Sequence, residues 1–175
     1  AAVRMQPHGN GLFTPGLSGY VLHVCHMRPN SRGRVLLQSA DPFADPLIEA
    51  NYFDDEMELD ALVKGVKIAR GILRQPALAR FNGGEEVPGP GVTTDEQIRQ
   101  FILDKAETVY HTAGSCKMGV ANDIMAVVDP TLKVYGLDHL RVIDASIMPT
   151  ITGSNIHAPT VMIAEKAADL ILKGK

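Results

Sequence analysis

The stretch ETVYHTAGSCKMG, residues 107–119, gathers a histidine, a serine, a cysteine and two glycines behind a β-branched and aromatic lead-in. His111 sits where a strand-like run gives way to a tight turn, a placement that can project an imidazole into a cleft. Histidine exchanges protons near neutral pH more readily than any other side chain, so His111 is a candidate general base. It can equally be a metal ligand with Cys116, or a hydrogen-bonded histidine in a turn. Metal ligation also has a candidate in His23, Cys25 and His26, but an alternating strand puts His23 and Cys25 on one face and His26 on the other. A structural zinc wants about four close-set N or S ligands, and no C-x-x-C or H-x-x-x-H completes such a set, so no metal is expected. Ser115 lacks the second glycine of a G-x-S-x-G elbow and has no specially placed aspartate, which argues against a nucleophile.

A second chemical stretch, TGSNIHAPT, spans residues 152–160 and leads into the last apolar run. Gly153 and Ser154 let the chain turn, and Asn155 and His157 fall on alternate positions of an extended segment. Pro159 suits a first helical turn, so the helix N–H groups point back at this loop and favour negative charge there. Asn155 and His157 can serve that site or simply cap the helix.

These stretches need a scaffold, and the periodicities suggest one. Residues 1–19 carry Pro7, Gly9, Gly11, Pro15, Gly16 and Gly19 without periodicity, an irregular lead-in. Two β-rich runs, 19–29 and 33–40, flank a short Gly-containing turn and read as a hairpin. A Pro-punctuated connection follows, with a short strand over 47–51. Asp55 and Glu58 as N-cap and N3 open a helix over 56–74, with Leu59, Leu62, Val63, Val66, Ala69 and Leu73 as its stripe and Pro76 as its stop. Residues 82–92 form a loop. Thr94 and Gln97 make a capping box for a second helix that buries Ile98, Phe101 and Ile102. The run 126–149 reads as two short strands separated by turns. The final helix, Pro159–Leu172, is apolar nearly all round and calls for a large partner surface. The predicted class is therefore α+β.

Composition bounds the function. The chain has 175 residues, which suggests a single domain by length alone, with 45% hydrophobic and 21% charged residues and a net charge of −3. That balance offers no basic footprint for nucleic acid. No apolar run reaches the roughly 20 residues of a membrane-spanning helix. Cys25 and Cys116 are too few for a disulfide framework and are expected as reduced, buried thiols, with a reducing cytoplasm as the default compartment.

In order and spacing, VYHTAGSCKMG, VVDPTLKVYGLDHLRVIDASIMP and SNIHAPTVMIAEKAADLI resemble the C-terminal part of the glucose–methanol–choline (GMC) oxidoreductases, choline dehydrogenase-like and related alcohol dehydrogenases above all. HMRPNSRGRVLLQSADPFADPLIEANYF and the helix after it resemble the same family's substrate-domain segment. The resemblance covers about residues 20–173. It implies an antiparallel substrate-domain sheet with packed helices over 20–110. It implies an active-site and FAD-proximal portion over 111–175, whose strand–loop–helix ending belongs to the FAD domain. The implied activity is oxidation of an alcohol by hydride transfer to FAD. By position, His111 matches the family's active-site histidine and Asn155 its partner. Asp144 and Ala145 match a segment that approaches FAD, while Asn155, Ile156 and His157 match the loop near the flavin's pyrimidine edge.

Two departures stand out. Many relatives carry asparagine where this chain has His157. The sequence also holds no G-x-G-x-x-G fingerprint, which the family places near its N-terminus with most of the FAD site. A missing N-terminal FAD-binding half is thus an implied partner, beside a small alcohol substrate, and the isolated chain is expected to be inactive. The competing readings are a GMC-like hydroxynitrile lyase, in which FAD is structural, and a non-catalytic module that binds a partner.

Overall fold

A computed structural model describes the backbone of Val3–Met5 and residues 20–174. Its elements in chain order are β1 (Val3–Met5), β2 (Arg34–Leu36), β3 (Leu47–Glu49), α1 (Glu56–Leu73), α2 (Pro76–Ala79), α3 (Asp95–Lys105), β4 (Ala106–Thr108), a 3-10 turn (Ala145–Ile147) and α4 (His157–Leu172). Helices with small antiparallel strand pairs make this an α+β chain. The expected irregular lead-in over 1–19 lies outside the described residues, apart from β1. Length alone suggested one domain, but the chain divides into two compact units that do not follow chain order. Of the described residues, one holds 27–52 and 110–174, the other Val3–Met5, 20–26 and 53–109.

The second of these units is built on α1 and α3. Asp55 caps α1 by accepting from the Met57 N–H at 2.9 Å, so the cap acts at the second helical position rather than through the expected third. Pro76 stands at the start of the short α2, just beyond the end of α1. Thr94 and Gln97 form the predicted capping box of α3, each side chain bonding the other's backbone end. Leu59, Leu62, Val63 and Val66 on α1 and Ile98 and Ile102 on α3 form one buried cluster, with Val24, Phe53 and Phe101 packed against it. β1 pairs antiparallel with β4, Val3 opposite Thr108.

In the other unit β2 pairs not with 19–29, as the turn signal suggested, but with β3, Arg34 opposite Glu49. Opposite charges at that register position form an ion pair between the strands, which favours this pairing. The intervening loop is folded by Asp41, whose Oδ1 accepts from Phe43 N–H at 3.0 Å. Among residues 20–29 only Cys25 takes a bridge position. Residues 126–149, predicted as two strands, instead hold isolated bridges (Val128 with Met118 and Val134, Lys133 with Arg141) and the 3-10 turn. Asp129 explains the difference. Its Oδ1 accepts from Thr131 N–H at 2.7 Å, the Thr131 hydroxyl at 2.7 Å and Lys133 N–H at 3.0 Å, curling the chain where a strand would run straight. Burial pushes the Asp129 carboxyl up, but these bonds outweigh it and hold the group below its ordinary value.

The core of this unit is Val128, Leu132, Ile147, Met148, Ile163 and Ala167. Of α4 only Ile163 and Ala167 are buried; Val161, Met162, Ile171 and Leu172 are exposed, Leu172 at 85%. The helix predicted to want a large partner surface therefore keeps an apolar face open within this chain. No described helix is long and apolar enough to cross a membrane.

Candidate active site

His111 with the rest of the first stretch from Tyr110 onward, the whole second stretch, Asp144 and Ala145 lie in the unit formed by residues 27–52 and 110–174. Tyr110, immediately before His111, has φ +61°, a left-handed conformation that non-glycine residues seldom adopt. His111 follows it, partly buried, and no hydrogen bond among the described residues engages its ring. Beyond it the chain is laced to the 3-10 turn by alternate residues. Gly114 N–H donates to Ala145 O at 3.4 Å, Cys116 N–H to Ser146 O at 2.9 Å, and Met118 N–H to Ile147 O at 2.8 Å. Gly114 has φ +89°, and a β-carbon there would lie 3.2 Å from Met148 O, so glycine is required at the close approach. The 113–118 and 145–148 segments thus run side by side, with His111 at one end.

The far end of the loop is fastened too. Val127 N–H donates to Lys117 O at 2.8 Å, and Gly119 N–H to Val128 O at 3.0 Å. Lys117 Nζ meets Asp123 Oδ2 at 2.5 Å. That bond, with one from Met125 N–H, holds the Asp123 carboxyl below its ordinary value. Cys116 and Cys25 are both partly buried thiols. Among the described residues no three His, Cys, Asp or Glu side chains gather as a metal site.

Asp144 caps the 3-10 turn. Its Oδ1 accepts from Ser146 N–H at 2.8 Å and from the Ser146 hydroxyl, leaving the exposed carboxylate its second oxygen. Ala145 is turned toward the core and packs against it.

Asn155 and His157 are exposed, with Ile156 between them packed on the core. α4 begins at His157, two residues before Pro159, because Asn155 Oδ1 accepts from His157 N–H at 2.9 Å and starts the helix. That bond settles the amide's orientation: with the oxygen occupied, the Nδ2 end is the one left to donate. No acidic residue stands in the first turn of α4 and no side chain at Ile156 caps it, so the N-terminal end keeps its positive character. The capping role and the site role, alternatives in the sequence, are therefore compatible: Asn155 caps with one end and offers the other.

Five residues singled out in the sequence, His111, Asp144, Ala145, Asn155 and Ile156, thus sit on segments that share one core, through Ala113, Met118, Ala145, Ile147 and Ile156. His157 joins them at the start of α4. No hydrogen bond among the described residues joins the His111 ring to Asn155 or His157. Sequence reasoning missed Arg28, whose guanidinium lies against Gly153. No local pattern ties residues so far apart in the chain.

Comparison with known proteins bears on this arrangement. A GMC oxidoreductase family model matches residues 29–164. The chain is 48% identical over 155 residues to an alcohol dehydrogenase [acceptor] of Pseudomonas putida, covering 89% of this chain and 28% of that protein. It is 48% identical over 167 residues to an oxygen-dependent choline dehydrogenase of Staphylococcus xylosus, covering 95% of this chain and 30% of that protein. Among solved structures it is similar to an FAD-dependent oxidoreductase from Chaetomium thermophilum, with TM-score 0.81 and 28% identity over 87% of this chain and 26% of that one. It is also similar to a fungal aryl-alcohol oxidase, with TM-score 0.78 and 30% identity over 87% of this chain and 25% of that one. The chain spans less than a third of the length of these relatives. With the family model spanning most of its residues, this chain belongs to the GMC oxidoreductase family.

Proposed function

We propose that this chain supplies the active-site residues of an FAD-dependent oxidoreductase that converts an alcohol to an aldehyde or ketone. His111 takes the hydroxyl proton, and Asn155 Nδ2 donates to the same oxygen and orients it. Bound FAD supplies the hydride acceptor, which no side chain here can be. The observation that carries the reading is the lacing of residues 114–118 to Ala145–Ile147, which puts the His111 and Asp144 segments on the core that also seats the Asn155 loop.

The groups present suit such a cofactor. Asp144 keeps a carboxylate oxygen for a hydroxyl donor, Asn155 Nδ2 remains a donor, and the α4 N-terminus adds positive character. A flavin presents hydroxyls on one side and carbonyl and ring-nitrogen acceptors on another, which is the complementary set. On this reading the chain at Ala145 and Ile156, whose side chains pack on the core, and the exposed His157 border the same approach.

On this reading residues 20–110 contribute to the substrate domain and 111–175 to the flavin side. The open apolar face of α4 then packs on an FAD-binding portion that lies outside these 175 residues. The test is anaerobic addition of a primary alcohol to the flavin-loaded complete protein, in which these residues are joined to their FAD-binding portion. Loss of flavin absorbance with aldehyde formation supports oxidation. Cyanohydrin cleavage without loss of flavin absorbance makes the site a lyase, and neither reaction overturns the reading.

A further inference from the structure

We propose that Arg28 is a positioning residue, its guanidinium seated on Gly153 to hold the loop that carries Asn155. The inference rests on the role given to Asn155 above. A β-carbon at Gly153 would lie 2.8 Å from Arg28 Nε, 3.0 Å from Nη2 and 3.3 Å from Cζ. The guanidinium therefore fills the space in which any other residue at 153 would put its side chain.

The loop needs such a support. Among the described residues no backbone hydrogen bond ties residues 149–155, in contrast to the laced strand of chain over 114–118. Its first internal bond is Asn155 Oδ1 with His157 N–H, at its far end. Thr152 Oγ1 is buried without a partner, so it supplies no tether either. Arg28, by contrast, leaves a firm base. Pro29 beside it is buried, and the Arg32 guanidinium donates to the carbonyls of Pro29, Asn30 and Ser31 at 2.9, 2.9 and 3.1 Å.

Arg28 also differs from its neighbours in what it does not do. Arg32 is engaged by carbonyls, Arg34 by Glu49, and Arg141 by the Thr131 carbonyl. Arg28 has no acid or carbonyl acceptor among the described residues, and its contact is with Gly153. A planar, weakly hydrated guanidinium suits packing of this kind, where a lysine ammonium does not.

The contact can be broken from either side, which makes the proposal testable. Arg28→Ala removes the guanidinium. Gly153→Ala displaces it at small cost, since the clash is with the end of a flexible side chain and Gly153 does not need a positive φ. Hydrogen exchange of the His157 N–H in the full chain reports on the loop, with the Met118 N–H as the reference for the rest of the unit. Each single variant is expected to speed exchange at His157 about tenfold, with Met118 unchanged. The double variant is expected to exchange no faster than either single, because both break one contact. Arg28→Lys is expected to behave as Arg28→Ala. In the flavin-loaded protein, Arg28→Ala is expected to lower kcat about tenfold with KM unchanged.

Unchanged exchange at His157, fully additive singles, or an equal rise at Met118 overturns the proposal. Faster exchange with an unaltered kcat overturns its link to the reaction. If exchange rises as expected but Asn155→Ala itself leaves turnover intact, the role of Asn155 fails while the Arg28 clamp stands.

Discussion

The N–H of Cys116 donates to the carbonyl of Ser146 at 2.9 Å, the middle rung between the loop after His111 and the 3-10 turn capped by Asp144. Through it, two segments separate in sequence become one rigid wall of the candidate site.

Gly114→Ala tests that wall. At φ +89°, with Met148 O in the way of a β-carbon, alanine is strained, and the cost is expected to be about 1–3 kcal/mol. Urea unfolding of the variant against the parent chain measures it.

Asn155 separates its two roles by substitution. Asn155→Asp keeps an acceptor for the His157 N–H but loses the amide donors, so stability is expected to hold while kcat falls about 100-fold. Asn155→Ala loses both and is expected to cost about 1 kcal/mol in addition. Thermal unfolding and steady-state turnover of the two variants side by side distinguish the roles.

Much of this was legible in the sequence, for identifiable reasons. The capping box Thr94–Gln97 and the stripe of α1 are local codes, and α1 and α3 form as those codes require. The pairing of β2 was not legible, because the Gly-containing turn after residue 29 suggested a nearer partner than β3. What selects β3 is a cross-strand charge pair, Arg34 with Glu49, that no turn signal encodes. Residues 126–149 have strand-like composition, yet Asp129 diverts them by collecting three hydrogen bonds on one oxygen. Of the candidate site, His111, Asn155 and His157 are proposed from residue type. The lacing of Gly114, Cys116 and Met118 was not legible, since backbone bonds leave no mark on side-chain identity. Arg28 was invisible for a related reason: its partner is a glycine.

Asp129 sets a pH dependence. Its folded pKa lies below the unfolded value of about 3.9, so its contribution to stability is complete above that value and is lost as pH falls through the folded one. Urea midpoints followed from neutral pH down to pH ~3 are expected to drop less steeply at the acid end in Asp129→Asn than in the parent.

Ile147 is buried at 3% exposure in the core beneath the 3-10 turn. Ile147→Ala is expected to cost about 2–5 kcal/mol by opening a cavity there. Its unfolding curve checks the figure, and faster exchange of the Met118 N–H, which donates to Ile147 O, checks that the loss reaches the wall.

The central claim is that His111 takes the alcohol's proton. Anaerobic stopped-flow reduction of the bound flavin by a primary alcohol, in the parent protein and in His111→Ala, tests it most directly. A fall in the reduction rate of about 100- to 10,000-fold, with flavin still bound, is the predicted result. Reduction at the parent rate would contradict the account.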